Sequence, residues 1–159
     1  MKIKSKIIIF DLDGVLINSL SNMKYTWSKV RTKFKLNIPF KNYEENIGLP
    51  FLDILKKLNV KNDRIKIKNY YKKVSSLNLH KIKMYKNVNK TIIGLKKRYI
   101  LAIFTSKDKE RTNKILKKIN TKFDIIITPE DLRFGKPHPQ GINKIIKKDN
   151  IKKKNCIYV

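Results

Sequence analysis

The feature that most constrains the fold of this chain is the apolar run Ile7–Phe10, which ends at the polar segment Asp11-Leu12-Asp13-Gly14. A continuous run of β-branched and aromatic residues is typical of a strand buried on both faces, as in a parallel sheet. Similar runs predict further strands at Ile100–Phe104, 123–128 and 156–159. Strands of this kind require helices on both faces of the sheet, so the intervening segments should be helical.

Apolar residues do recur at helical spacing between the predicted strands. The patterns predict helices from Ser19 or Ser21 towards Phe34, after Pro50, from Asp63 to about Leu77, and over 87–98, 109–119 and 140–148. Alternating strands and helices predict an α/β fold with a Rossmann-like parallel sheet core. Residues 18–83 contain predicted helices and no predicted strand, so we interpret them as an inserted α-helical cap domain. The core then comprises residues 1–17 and 84–159.

The charge of the chain is strongly positive, because 39 Lys and Arg residues face 12 Asp and Glu residues, a formal net charge of +27. Clustered basic residues can bind nucleic acids or anionic membranes by displacing counterions from phosphate groups. Here the lysines lie along nearly the whole chain, without an arginine-rich tract. We therefore expect a compositional bias and no specific nucleic-acid partner.

The single cysteine, Cys156, excludes an internal disulfide, which suits a reducing cytosol. Its position at the start of an apolar run predicts that it is buried. No apolar run approaches the length that crosses a bilayer. We expect a soluble, cytoplasmic protein without a membrane partner, and the sequence leaves its oligomeric state open.

Polar side chains follow three of the predicted strands, and in such sheets ligands bind beyond the carboxyl ends of the strands. Asp11 and Asp13 follow the first strand. Two carboxylates so close repel each other, so a cation should accompany them, and Mg²⁺ suits oxygen ligands best. One carboxylate can attack phosphorus while the other acts as an acid and then as a base. A turn or helix-cap pair is the structural alternative.

Thr105 and Ser106 follow the second strand, and Lys136 lies in a turn beyond the third. The Thr105 hydroxyl could donate to a phosphoryl oxygen or cap the next helix. Gly135 and Pro137 flank Lys136, whose ammonium group could offset charge on transferring oxygens. His138 lacks a second metal-ligating residue at suitable spacing, so we predict a turn or capping role for it.

Together these segments resemble the motifs of the haloacid dehalogenase-like (HAD) hydrolase superfamily, in the subgroup with a small helical cap inserted after the first motif. Residues 10–16 are similar to the first motif, 103–106 to the second and 135–139 to the third, and 48–50 resemble a cap feature near the substrate. The resemblance implies a Mg²⁺-dependent phosphatase for a small phosphorylated metabolite, with phosphoglycolate as the first candidate. A phosphosugar mutase of the same family and a non-catalytic binding or scaffold domain are the alternatives.

The resemblance also implies roles for individual residues. Asp11 would form an aspartyl-phosphate intermediate, and Asp13 would protonate the leaving group and then activate water. Mg²⁺ would bind the Asp11 side chain and the Asp13 backbone carbonyl. The remaining substrate contacts would come from Thr105, Ser106, Lys136 and Gly48.

Two features depart from the family pattern. Asn18 stands where many relatives have Asp. The acidic fourth motif, which supplies further Mg²⁺ ligands, normally follows the strand predicted at 156–159. We therefore expect a truncated chain that lacks the last part of the core and has impaired activity.

Overall fold

The computed structural model of the chain describes residues 6–148 and 150–159. The chain divides into two compact units, one formed by Met1–Ile17 with Met84–Val159 and the other by Asn18–Lys83. The first unit contains the predicted parallel strands, and the second is mainly helical. That the second unit acts as a cap remains a prediction.

The first unit is built on a parallel sheet. The strands in the described part of the chain are β1 (Ile7–Phe10), β2 (Ile17–Asn18), β3 (Lys83–Met84), β4 (Ile100–Phe104), β5 (Ile125–Ile127) and β6 (Cys156–Tyr158). Four of them form one sheet in the order β5-β4-β1-β6, in which every pair is parallel. In this register Ile7 lies between Ile100 and Cys156, so β1 occupies an inner position. The α/β fold with a parallel sheet is therefore confirmed.

Within residues 6–148 and 150–159, seven α-helices accompany these strands. They are α1 (Leu20–Phe34), α2 (Phe40–Glu44), α3 (Phe51–Lys57), α4 (Arg64–Leu77), α5 (Val88–Lys96), α6 (Lys109–Leu116) and α7 (Gln140–Lys148). The helices predicted after Pro50 and from Asp63 are confirmed, and the Asp63 side chain caps α4 by accepting from the backbone N–H groups of Ile65 and Lys66. In the described part of the chain, none of the helices is long and apolar enough to cross a membrane.

The predicted absence of strands from 18–83 is wrong in detail. The short strands β2 and β3 pair as a two-stranded sheet, and each has one residue inside this range. Two-residue strands have no alternating pattern long enough to be recognised in a sequence. The prediction also omitted α2, a five-residue helix whose N-cap is Pro39 and which lacks a side-chain cap.

The burial of the strands follows their composition. Every residue of β1 is buried, as are Leu101 to Phe104 of β4. By contrast, β6 is one of the two edge strands of the described parallel sheet, and its Ile157 and Tyr158 side chains are exposed. The prediction of a buried Cys156 is therefore wrong, because this residue is only half-buried, although partial burial still raises the pKa of its thiol.

In the Asn18–Lys83 unit, aromatic side chains form the core. The Trp27 and Tyr43 rings stack with 4.8 Å between centroids, and the Tyr43 hydroxyl donates to the Tyr71 hydroxyl at 2.9 Å. The predicted capping of α1 by a serine side chain is wrong. The Ser19 side chain makes no capping hydrogen bond, and Asn18 Oδ1 instead accepts from the Leu20 N–H at 3.2 Å.

Candidate active site

The two acidic residues lie on a sharp turn at the carboxyl end of β1. The Asp11 N–H donates to the Val159 carbonyl at 2.9 Å, which extends the pairing of β1 with the last strand by one residue. The Leu12 side chain points into the core and is fully buried, so the carboxylates on either side of it project from the sheet. Gly14 has a φ of +82°, a conformation that favours glycine.

Lys136 pairs with Asp11. Its Nζ lies 2.9 Å from Asp11 Oδ2, and the two side chains are 13% and 23% exposed. Among the described residues this buried nitrogen has no hydrogen bond of regular geometry, so the contact with Asp11 is an ion pair without good alignment. The Lys136 ammonium also lies over the Phe104 ring, 4.8 Å from its centroid, in a cation–π contact.

Lys107 pairs with Asp13. Its Nζ lies 3.1 Å from Asp13 Oδ1, and the Lys107 and Asp13 side chains are 5% and 14% exposed. Lys107 is not among the site residues predicted from the sequence. The available signal is the position of Lys107 two residues after Thr105, the same spacing as between Asp11 and Asp13. This signal is weak, because a single lysine is inconspicuous among 39 basic residues.

Thr105 lies directly after β4 and is almost fully buried. Its N–H donates to the Ile127 carbonyl at 3.2 Å, and its hydroxyl oxygen accepts from the Lys107 N–H at 3.1 Å. Asp108, rather than Thr105, is the N-cap of α6, since its side chain accepts from the Arg111 N–H. The capping alternative for Thr105 is thereby excluded.

The structure brings these side chains together at one edge of the parallel sheet. Asp11 contacts Lys136 directly, and Lys107 connects Asp13 with Thr105. Ser106 lies between Thr105 and Lys107 and is partly buried. Gly48 belongs to the other unit, where a φ of +106° forms the turn between Ile47 and Leu49.

The loop that carries Lys136 is held by the start of α7. The Gln140 side-chain oxygen accepts from the N–H groups of Arg133 and Phe134, at 3.0 and 2.8 Å. His138 Nδ1 accepts from the Gln140 N–H at 3.1 Å, so the predicted capping role of His138 is confirmed. The side chains of Gln140 and His138 therefore hold the loop that carries Lys136.

A second anchor precedes this loop at the end of β5. Asp131 Oδ2 accepts from the N–H and the hydroxyl of Thr128, at 2.9 and 3.0 Å. Desolvation pushes the pKa of Asp131 upward, but the two hydrogen bonds from Thr128, together with the charges of Lys109 and Lys144, outweigh it and leave the pKa below its ordinary value. The carboxylate of Asp131 thus stabilises the turn that leads towards Lys136.

The carboxylate oxygens of Asp11 and Asp13 are the kind of ligand that Mg²⁺ prefers. Within the described residues, no group of three or more His, Cys, Asp and Glu side chains could hold a metal ion. Asp11 and Asp13 nevertheless offer hard oxygen ligands, and Mg²⁺ commonly binds one or two carboxylates together with substrate phosphate oxygens and water. The two lysines provide part of the positive charge that the closely spaced carboxylates require.

A family model described as "Haloacid dehalogenase-like hydrolase" matches residues 8–159. The chain belongs to this family, and it is an enzyme of the phosphatase type.

The relatives agree with this assignment. The chain is 29% identical over 159 residues to the pyrophosphatase PpaX of Halalkalibacterium halodurans, with 96% of this chain and 73% of that protein covered. It is 30% identical over 155 residues to PpaX of Bacillus mycoides, with 92% and 69% covered.

Solved structures share the fold. A hydrolase from Pseudomonas syringae superimposes with a TM-score of 0.86 at 21% identity, over 97% of this chain and 74% of that one. A hydrolase of the haloacid dehalogenase-like family from Streptococcus pneumoniae gives a TM-score of 0.82 at 16% identity, over 98% and 75%.

Proposed function

We propose that this protein hydrolyses a small phosphorylated compound through an aspartyl-phosphate intermediate on Asp11. The observation that carries the proposal is the separate pairing of the two acids, Asp11 with Lys136 and Asp13 with Lys107, at the carboxyl end of β1. Because each acid has its own lysine partner, the nucleophile and the acid–base group can be oriented independently of each other.

The reaction proceeds in two steps. In the first, an Asp11 carboxylate oxygen attacks phosphorus, the bond from phosphorus to the leaving oxygen breaks, and Asp13 gives that oxygen its proton. In the second, the Asp13 carboxylate takes a proton from water, the water oxygen attacks phosphorus, and the bond to Asp11 breaks. Inorganic phosphate leaves, and Asp13 has regained the proton it donated.

The basic and hydroxyl groups stabilise the transferring phosphoryl group. Lys136 offsets the negative charge that gathers on its oxygens, and its burial strengthens this effect because water screens it less. The Thr105 and Ser106 segment lies at the end of the neighbouring strand, where hydroxyl and N–H donors can orient the same oxygens. These roles rest on the contacts between Asp11, Lys136, Lys107 and Thr105 described above.

The proposed cofactor is Mg²⁺, held by the Asp11 side chain and the Asp13 backbone carbonyl. When bound, it neutralises phosphate charge and helps to hold the substrate in line with the nucleophile. Phosphatases of this superfamily generally use Mg²⁺, which supports the assignment.

Two substrate classes deserve the first tests. The PpaX relatives carry the name pyrophosphatase, which favours inorganic pyrophosphate as a substrate. Phosphoglycolate remains the candidate from the sequence motifs. We propose that Gly48 and the Asn18–Lys83 unit help to select between such compounds, as a cap does in the family that the sequence resembles.

The proposal is tested by measuring phosphate release from a panel of phosphorylated metabolites and pyrophosphate by the full-length gene product. Asp11→Asn should abolish release of phosphate from every substrate that the wild-type protein uses. The matched control is Asp53→Asn, the same change at an exposed residue of α3, which should retain activity. Undiminished turnover in Asp11→Asn would rule out this nucleophile. Conversion of glucose 1-phosphate to a phosphosugar isomer would indicate a mutase instead.

A further inference from the structure

Lys107 is an unusual lysine for this chain. Of the lysines that the structure describes, Lys107 alone is almost completely buried, with 6% of its surface exposed. Lysine is rarely buried without a charged partner, because removing an ammonium group from water is unfavourable. Its partner is the Asp13 carboxylate, 3.1 Å away. Compositional bias explains surface lysines, but it does not explain a buried and paired one.

The backbone of Lys107 is fixed at both of its polar groups. The Lys107 N–H donates to the Thr105 hydroxyl at 3.1 Å, and the Lys107 carbonyl accepts from the Thr112 hydroxyl at 3.2 Å. Both threonines are almost fully buried. The backbone from which the Lys107 side chain extends is therefore fixed between the end of β4 and α6. The ammonium group reaches Asp13 from this fixed position.

We propose that Lys107 is a positioning residue that holds the Asp13 carboxylate in the orientation from which it exchanges protons with the leaving group and with water. This inference rests on the proposed function, in which Asp13 is the acid and base. A carboxylate on a glycine-containing turn can rotate about its side-chain bonds, and an ion pair with a buried ammonium group restricts that rotation. Lys136 forms the ion pair with Asp11, and Lys107 forms the ion pair with Asp13.

The competing explanation is that Lys107 binds the substrate phosphate itself. The two explanations predict different kinetic losses. Removal of a positioning residue lowers kcat in reactions that need proton transfer and leaves KM nearly unchanged. Removal of a phosphate ligand raises KM or slows phosphoryl transfer from every substrate, including substrates whose leaving group needs no proton.

The experiment compares Lys107→Met and Lys107→Arg in the full-length gene product. With an alkyl phosphate, Lys107→Met should lower kcat about tenfold or more, with KM within about threefold of wild type. Lys107→Arg keeps the charge and should recover most of the loss. The matched control is Lys114→Met, which removes an exposed lysine of α6 that pairs with Glu110, and it should behave like wild type.

A second readout uses p-nitrophenyl phosphate, whose leaving group departs without a proton. The pre-steady-state burst of nitrophenolate should keep its rate in Lys107→Met, because that step does not depend on Asp13. The double variant Lys107→Met with Asp13→Asn removes both charges, so no unpaired buried charge hinders folding. Its kcat with the alkyl phosphate should equal that of Asp13→Asn alone, since Lys107 acts through Asp13.

A slower burst in Lys107→Met, a large rise in KM, or an additive loss in the double variant would overturn the inference. An unchanged kcat in Lys107→Met would overturn it as well. These outcomes are separate from failure of the proposed function, which shows itself in the wild-type protein and Asp11→Asn. If Asp11→Asn abolishes an activity that the wild-type protein has, the proposed phosphatase function is supported. Lys107→Met then tests only the positioning role of Lys107.

Discussion

The Lys136 ammonium group lies 2.9 Å from Asp11 Oδ2, although the two residues belong to loops far apart in the sequence. The sheet accounts for this contact. Because β1 and β4 are parallel neighbours and β5 lies beyond β4, the loops that follow these strands emerge at one edge. Gln140 then fixes the loop that carries Lys136 by accepting from the backbone of Arg133 and Phe134.

Replacement of Lys136 by Met tests the value of this ion pair. We expect kcat for phosphate release to fall by about 100-fold or more, because a buried cation no longer offsets charge on the transferring phosphoryl group. Lys136→Arg keeps the charge but changes the geometry, so it should recover only part of the activity. Steady-state kinetics measures both effects. A Lys136→Met protein with wild-type kcat would show that the ion pair is structural.

Removal of divalent cations tests the proposed cofactor. Treatment of the full-length gene product with EDTA should abolish phosphate release, and added Mg²⁺ should restore it. Calorimetric titration gives a readout that does not depend on activity, and Asp11→Asn should weaken the binding of Mg²⁺ in that assay. Full turnover in the presence of excess EDTA would exclude the metal from the reaction.

The contact between α7 and β4 makes a prediction about stability. A Cβ atom added at Gly141 would lie 2.5 Å from two atoms of the Phe104 ring, which is too close for the packed core. Gly141→Ala should therefore lower the free energy of unfolding by about 1–3 kcal/mol. Gly94→Ala is the matched control, because nothing lies within 4 Å of its added Cβ.

In the control, alanine should be neutral or should stabilise helix α5 by about 0.5–1 kcal/mol, as expected from helix propensity. Urea-induced unfolding measures both variants. Equal unfolding midpoints for Gly141→Ala and Gly94→Ala would contradict the predicted overlap with Phe104.

Asp131 predicts a pH dependence of stability. Its pKa is lowered in the folded protein, so its contribution is fully present above the unfolded-state pKa of about 4 and is lost as the pH falls through the folded-state pKa. Asp131→Asn should destabilise the protein at neutral pH, and the difference from wild type should shrink below about pH 4. Urea unfolding at several pH values checks this. A difference that is constant with pH would contradict the role of the charged carboxylate.

The sequence was informative where physical constraints are strong and local. Buried strands such as Ile7–Phe10 need continuous apolar residues, and an N-cap such as Asp63 needs a short polar side chain before a helix. Both constraints leave visible patterns. The two-residue strands β2 and β3 leave none, because their pairing depends on the surrounding fold rather than on their own residues.

The candidate site likewise contains residues that the sequence makes conspicuous and residues that it does not. Asp11 and Asp13 are conspicuous because acids are scarce in this chain, whereas Lys107 is hidden by the abundance of lysine. The closely spaced pair of Asp11 and Asp13 predicts a cation nearby. In the structure, Lys136 and Lys107 supply part of that positive charge. Only the three-dimensional fold reveals that Lys107 is buried against Asp13.

The most direct measurement is chemical trapping of the intermediate. The full-length gene product is quenched during turnover and treated with borohydride, which reduces an acyl phosphate on a carboxylate side chain to the alcohol, and its peptides are analysed by mass spectrometry. The account predicts reduction at Asp11, dependent on substrate and absent without it. Release of phosphate with reduction at another residue, or with none during rapidly quenched turnover, would contradict the assignment of Asp11 as the nucleophile.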